Sequence, residues 1–239
     1  MNILIPMAGA GSRFEKAGYK EPKPLINIFE KPMIQWVIEN IKCDDANYIF
    51  IVQENHFDKY DIKNTINKLC KKYEIIKING ITEGAACTTL FAKSYINNNQ
   101  KLIIANSDQF VEWSNNDFKE FSSNDNIDCN ILTFKSNHPK WSYVKLNKNN
   151  FVEEVAEKKV ISNIATVGIY FWKNGNDYVK YAEQMISKNI RVNNEFYVCP
   201  VFNEAIKDSK KIRVFNIEKL WGLGTPEDLK YFMENYKQF

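Results

Sequence analysis

Short apolar runs recur early in the chain at regular intervals. Asn2–Met7 carries Ile3, Leu4 and Ile5 in succession, which predicts a strand buried on both faces. Tyr48–Val52, Ile75–Ile78 and Leu102–Ala105 repeat the pattern. Between these runs the apolar period lengthens to that of a helix. Met33, Val37 and Ile41 follow Lys31-Pro32, with Pro32 suited to a first turn. Phe57, Tyr60, Ile66, Leu69 and Tyr73 predict one helix over His56–Tyr73, and a third is expected over Ala85–Tyr95. Strand and helix alternating at this spacing predict a parallel sheet covered on both faces.

Beyond Asp108 the rhythm changes. Asn130–Phe134, Tyr143–Leu146, Phe151–Val155 and Thr166–Trp172 read as strands separated by turn residues. Helices are expected at Asn176–Ser187 and Phe196–Lys207, and a last strand at Ile212–Ile217. Thr225-Pro226-Glu227-Asp228 has the spacing of a capping box and predicts a final helix. With no internal repeat and no Pro/Gly-rich linker, the expected fold is one α/β domain over 1–239. It is Rossmann-like, with a mixed, mainly parallel sheet flanked by helices. Its front half is expected over 1–110 and its back half, with the mixed part of the sheet, over 111–239.

Composition narrows the class. The chain has 239 residues, 44% of them apolar, enough for a sizeable core. Its 32 basic and 29 acidic residues are interspersed and leave a net charge of +3, which argues against a nucleic-acid surface. Cys43, Cys70, Cys87, Cys129 and Cys199 lie far apart with no zinc spacing, as expected for a reducing cytosol. The chain shows no basic leader segment and no apolar run of membrane-spanning length, so no membrane partner is expected and a cytoplasmic location is.

The candidate chemistry lies after the first strand. Met7-Ala8-Gly9-Ala10-Gly11-Ser12-Arg13 supplies two glycines for close backbone approach to an anion, a hydroxyl donor and a forked cation. Ten residues on, Pro22 and Pro24 bracket Lys23 and restrain its backbone. The segment lacks the Gly-Lys-Ser/Thr of a P-loop and the third glycine and downstream acid of a dinucleotide fingerprint. On its own, Gly-x-Gly is also compatible with an ordinary tight turn. Asn106-Ser107-Asp108 closes the fourth strand, where ligands of open α/β sheets sit. Asp108 there suits Mg²⁺ coordination or an Asx turn.

The order Gly-x-Gly-Ser-Arg-Phe, then Lys-Pro-Leu, then Pro-Met before a helix resembles the sugar-nucleotidyltransferase superfamily. The resemblance runs through nearly the whole chain. It implies a Mg²⁺-dependent enzyme that joins an NTP to a phosphorylated small molecule and releases pyrophosphate. Arg13, Lys23 and Asp108 would be the catalytic residues, with Asp108 the metal ligand and Ser107 beside it. Thr82-Glu83-Gly84-Ala85 looks like the nucleobase pocket. Glu83 there would accept from the N4 amine of cytosine and repel the O4 of uracil, which favours CTP; the alternative is an acidic helix-start residue facing water. Glu157 and Lys158 resemble the acceptor segment, and Glu195 another acceptor-side acid. Many relatives carry an Asp, the second metal ligand, two residues before the closing Gly-Thr-Pro. Here that place is Gly222, which leaves Glu218 or water as candidates. The acceptor could be L-glutamine phosphate, a sugar phosphate, choline phosphate or a polyol phosphate. A nucleotide-sugar glycosyltransferase would normally carry Asp-x-Asp, which Asn106-Ser107-Asp108 lacks. A non-catalytic nucleotide-binding regulator is the third class.

Overall fold

The computed structural model describes residues 1–123 and 126–237. Strand β1 (Asn2–Pro6) leads into the short helix α1 (Ser12–Lys16). A small antiparallel pair, β2 (Asn27–Ile28) and β3 (Lys31–Pro32), turns the chain into α2 (Met33–Asn40). Then come β4 (Asn47–Gln53), α3 (Glu54–Lys59), α4 (Ile62–Leu69), β5 (Tyr73–Ile78), α5 (Ala85–Leu90), α6 (Lys93–Ile96) and β6 (Leu102–Ala105). The second half runs β7 (Gln109–Glu112), α7 (Asn115–Ser123), β8 (Cys129–Lys135), β9 (Tyr143–Leu146), β10 (Val152–Ala156) and β11 (Ile164–Trp172). It ends with α8 (Gly175–Ser187), α9 (Val201–Lys207), β12 (Ile212–Asn216), β13 (Lys219–Gly222) and α10 (Pro226–Asn235).

Among the described residues, nine strands form one sheet. β1 is central, parallel to β4 on one side and β6 on the other, and β5 extends the parallel part beyond β4. β11 joins β6 antiparallel and carries β8 along its other side, with β12 parallel to β8. The fold is thus the expected mixed, mainly parallel α/β sheet with helices on both faces. Its two faces are built by strict alternation. Leu4, Ile51, Ile104 and Trp172 point to the layer of α5, α8 and α9, while Ile3, Phe50, Ile103 and Phe171 point to the layer of α2, α4 and α7. No helix among the described residues is long and apolar enough to cross a membrane.

Several expected elements are shorter than their apolar pattern. His56–Tyr73 is two helices, because Tyr60 leaves helical geometry (φ −120°, ψ 127°) and its hydroxyl donates to the Lys20 carbonyl at 2.8 Å. Tyr73 belongs to β5 instead. Ala85–Tyr95 breaks after Leu90. Phe196–Lys207 begins only at Val201, since Pro200 takes the N-cap position. The antiparallel pair β7–β13 carries no strong alternation and was not expected.

A third, mostly aromatic cluster lies off the main sheet. Phe14, Met33, Trp36, Trp221, Leu223 and Phe232 are buried together, with Trp36 edge-on to Phe232 at 5.4 Å and Trp221 edge-on to Phe232 at 5.4 Å. Each such ring contributes on the order of 1.5–3 kcal/mol by burial. The cluster ties the segment after Lys23 to β13 and α10.

The two halves are also laced directly. Phe196 N–H donates to the Glu83 carbonyl at 2.9 Å, and Ala86 N–H donates to the Phe196 carbonyl at 2.9 Å. Gly84 makes this approach possible: its φ is +135°, and a Cβ there would lie 2.5 Å from both the Phe196 N and O. Gly84→Ala is therefore expected to cost about 2 kcal/mol or more, lowering Tm by roughly 4–8 °C in thermal melts. A shift below about 1 °C would contradict the lacing.

Candidate active site

The carboxyl ends of β1 and β6 open into a cleft of about 630 Å³. The loop after β1 forms one wall and is pinned from below. Gln53, buried at the end of β4, donates from Nε2 to the Ala8 carbonyl at 2.9 Å and the Gly9 carbonyl at 3.3 Å. Met7 N–H donates to the Ile51 carbonyl at 2.9 Å. The loop's carbonyls are thereby turned down into the protein. Met7, Ala8, Gly9, Ala10 and Arg13 line the cleft.

Lys23 and Asp108 meet at its centre. The Lys23 ammonium lies 2.7 Å from Asp108 Oδ2, with both side chains about one-fifth exposed. Pro22 precedes a single 3₁₀ turn, Lys23–Leu25, that aims the lysine inward. Asp108 is backed by Gly224, where a Cβ would lie 2.8 Å from Asp108 Oδ2, and its carbonyl accepts from Leu223 N–H at 2.9 Å. Among the described residues, no group of three or more His, Cys, Asp or Glu side chains is placed to hold a metal. A metal at Asp108 would share its shell with phosphate oxygens and water, a donor set that suits Mg²⁺.

The opposite wall comes from β9, β10 and β11 and the segment before α9. Asn106 N–H donates to the Gly168 carbonyl at 2.9 Å, where the register of β11 against β8 shifts. Ser142 Oγ donates to Glu157 Oε2. Burial pushes the Glu157 carboxyl above its ordinary value of 4.5, against the lowering effects of Ser142 and Lys158. Lys158 donates to the Tyr197 hydroxyl and lies 4.5 Å from the centre of that ring. Glu195 lines the same end. Burial holds the Cys199 thiol far above its ordinary range, so it is no thiolate nucleophile.

The structure brings most of the sequence-derived residues together. Met7, Ala8, Gly9, Ala10, Arg13, Lys23, Gly84, Ala85, Ser107, Asp108, Glu157, Lys158 and Glu195 all line this one cleft. Gly11 and Ser12 do not line it, Gly11 being the left-handed N-cap of α1 and Ser12 its first residue. Glu83 is turned away. Its carboxylate pairs with Arg191, whose guanidinium stacks 4.0 Å over Phe196 and bonds Asn189 and Asn194. A side chain held outside the cleft gives no support to base reading by Glu83. Glu218 is exposed just before β13 and does not reach the cleft, so the geometry does not favour it as a metal ligand. Sequence reasoning missed Gln53, Gln109, Lys140, Trp141, Ser142 and Thr166. None sits in a recognisable motif, and only the folded sheet gathers them.

The family profile described as "Nucleotidyl transferase" matches residues 3–238. The chain is 27% identical over 239 residues to a bifunctional sugar-1-phosphate nucleotidylyltransferase/acetyltransferase of Sulfurisphaera tokodaii, covering 95% of this chain and 53% of that protein. It is 28% identical over 229 residues to the bifunctional protein GlmU of Buchnera aphidicola, covering 92% of this chain and 48% of that one. The chain thus spans about half the length of these two relatives. Its fold is similar to that of a nucleoside-diphosphate-sugar pyrophosphorylase from Vibrio cholerae (TM-score 0.85, 23% identity, 98% of this chain and 100% of that one). It is also similar to that of an inositol-1-phosphate CTP transferase from T. maritima (TM-score 0.76, 15% identity, 100% and 98%).

Glu157 gives a prediction about stability. A carboxyl whose pKa rises on folding contributes no penalty below its unfolded value and lowers stability as pH rises through the folded value. Glu157→Gln keeps an oxygen to accept from Ser142 and removes the buried charge. The Tm gap between variant and parent is expected to widen in the variant's favour from about pH 4 to about pH 8. A gap that moves the other way would mean the carboxylate is stabilised where it stands.

Proposed function

The chain belongs to the nucleotidyl transferase family, and we propose that it moves a nucleotidyl group from an NTP onto the phosphate of a small acceptor, releasing pyrophosphate. One observation carries this reading: the loop after β1, Arg13, Lys23 and Asp108 share a single cleft with Glu157, Lys158 and Glu195. Four cations, Arg13, Lys23, Lys140 and Lys158, line that cleft, as suits a triphosphate beside a monophosphate. Residues 1–110 would hold the nucleotide and 111–239 the acceptor.

An oxygen of the acceptor phosphate attacks the α-phosphorus in line. A new P–O bond forms, the bond from the α-phosphorus to the bridging oxygen breaks, and pyrophosphate leaves with that electron pair. The attacking phosphate is largely dianionic near neutral pH, so no general base is needed. Neither His56 nor His138 lines the cleft. Catalysis is then positioning and charge neutralisation. Arg13 and Lys23 hold the triphosphate, and Lys158 leaves the Tyr197 hydroxyl for the acceptor phosphate. Mg²⁺ at Asp108, when bound, neutralises charge on the phosphate oxygens.

For the acceptor we favour L-glutamine phosphate with CTP, the pair used by the CTP:phosphoglutamine cytidylyltransferase of capsular phosphoramidate biosynthesis. Gly222 and the segment Asn194-Glu195-Phe196-Tyr197 carry that resemblance. Two carboxylates, Glu157 and Glu195, share one end of the cleft with a single lysine, Lys158, a charge pattern suited to an acceptor with both an ammonium and a phosphate. A sugar 1-phosphate is the second reading, since the same carboxylates accept from hydroxyls and the Sulfurisphaera relative carries that name.

Purified protein, Mg²⁺, each NTP in turn and a panel of phosphorylated acceptors, with pyrophosphate release as the signal, test the reading. Turnover is expected with CTP and L-glutamine phosphate. Turnover with a sugar 1-phosphate alone would move the acceptor, and failure to bind any NTP in calorimetry would end the proposal. Lys23→Ala and Asp108→Ala are expected to remain folded and lose on the order of 100-fold in rate; parent-like turnover in either removes that residue from the mechanism. Glu83→Gln is expected to leave the CTP-to-UTP ratio unchanged, because Glu83 pairs with Arg191 outside the cleft. A marked shift towards UTP would restore Glu83 as the base reader.

A further inference from the structure

From Trp221 to Gly224 the chain alternates between the aromatic cluster and the cleft. Gly222 and Gly224 line it, while Leu223 between them is fully buried in the aromatic cluster. The two glycines therefore face the same way, with Cβ positions about 7 Å apart. Each backs onto a carboxylate. Gly224 lies against Asp108, and a Cβ on Gly222 would lie 3.5 Å from the carboxyl carbon and Oδ2 of Asp228. Each carboxylate also holds a lysine. Lys23 is 2.7 Å from Asp108, and Lys140 is 3.0 and 3.3 Å from the two oxygens of Asp228. Two matching Lys–Asp pairs thus stand side by side on one glycine ledge.

Gln109 lies beside the same ledge. Gln109 pairs with Gly222 across the β7–β13 ladder and lines the cleft. It is only 3% exposed, its Nε2 donates to the Asn106 carbonyl at 2.8 Å, and its Oε1 has no hydrogen-bond partner. A buried acceptor left without a donor is costly.

We propose that Asp228 supplies the second carboxylate of the reaction centre, in the space Gly222 leaves open, and releases Lys140 when the metal–nucleotide complex enters. This rests on the nucleotidyl-transfer reading above. Asp228 is well placed for such an exchange. Its backbone N–H, not its carboxylate, caps α10 by donating to Thr225 Oγ1 at 3.1 Å. The carboxylate is left to the cleft.

The test reads Mn²⁺ affinity in the presence of CTP, by electron paramagnetic resonance, with turnover as a separate readout. Asp228→Asn keeps the helix cap and is expected to weaken Mn²⁺ binding about tenfold or more, the same loss expected of Asp108→Asn. Glu218→Gln is expected to bind as the parent does. Gly222→Asp added to Asp228→Asn is expected to restore affinity, since a Cβ at Gly222 meets only ordinary contacts, Asp228 at 3.5 Å and Trp141 at 3.7 Å. A structural role for Asp228 would show no such rescue. Parent-like Mn²⁺ affinity in Asp228→Asn, with Asp108→Asn impaired, overturns this inference and leaves the nucleotidyl-transfer reading standing. A parent protein that binds no Mn²⁺ with nucleotide overturns both.

Discussion

Asp108 is held from three directions, and the cleft is arranged around it. The Lys23 ammonium neutralises it, the bare Cα of Gly224 gives it room, and its own carbonyl is tied to Leu223 N–H. A carboxylate only one-fifth exposed loses much of its hydration, and without a cation beside it the charge would be expensive. Lys23 meets that need. Its own backbone is restrained by Pro22, Pro24 and a 3₁₀ turn, so little backbone freedom is lost in forming the pair.

That arrangement depends on packing well outside the cleft. Lys23 and Gly224 belong to segments 200 residues apart, and the main sheet does not join them. The aromatic cluster does. Phe14, Trp36, Trp221 and Phe232 close behind both segments, and Leu223 is buried in the cluster while the glycines on either side of it face the ligand space. The alternation that is ordinary for a strand becomes here the means by which one backbone is both core and active surface. On the opposite wall the same economy appears at Gly84, whose missing side chain lets two distant loops lace together.

The front half of the fold was legible because buried parallel strands are short continuous apolar runs and their order dictates where loops converge. β1, β6 and the loop between β1 and α1 lie where the apolar runs place them, and Thr225 caps α10 as its spacing implies. What was not legible depended on partners distant in sequence. Glu83 reads as a pocket residue until Arg191, fixed by Phe196 and two asparagines, draws it out. The helix expected over His56–Tyr73 breaks at Tyr60 because its hydroxyl finds the Lys20 carbonyl, a tertiary contact no local pattern records. Gln53 reads as a strand end, and only the folded sheet shows it supporting the Ala8–Gly9 loop. Asp228 reads as half of a capping box, yet its side chain goes to Lys140.

The resting charge pattern bears on how substrates would enter. Three of the four cations that line the cleft are paired within the protein: Lys23 with Asp108, Lys140 with Asp228, Lys158 with the Tyr197 hydroxyl. A triphosphate arriving alone would have to draw Lys23 from Asp108 and leave a poorly hydrated carboxylate unpaired. A divalent cation arriving alone would displace the lysine and leave the ammonium without its partner. Arriving together, they would exchange partners: Asp108 would hold the metal, Lys23 would hold phosphate oxygens, and no charge would be stranded. Since an uncompensated charge in such a place costs several kcal/mol, the resting ion pairs favour the metal–nucleotide complex over either component. On the proposed reading, the pairs that stabilise the empty protein also make its nucleotide binding depend on the metal.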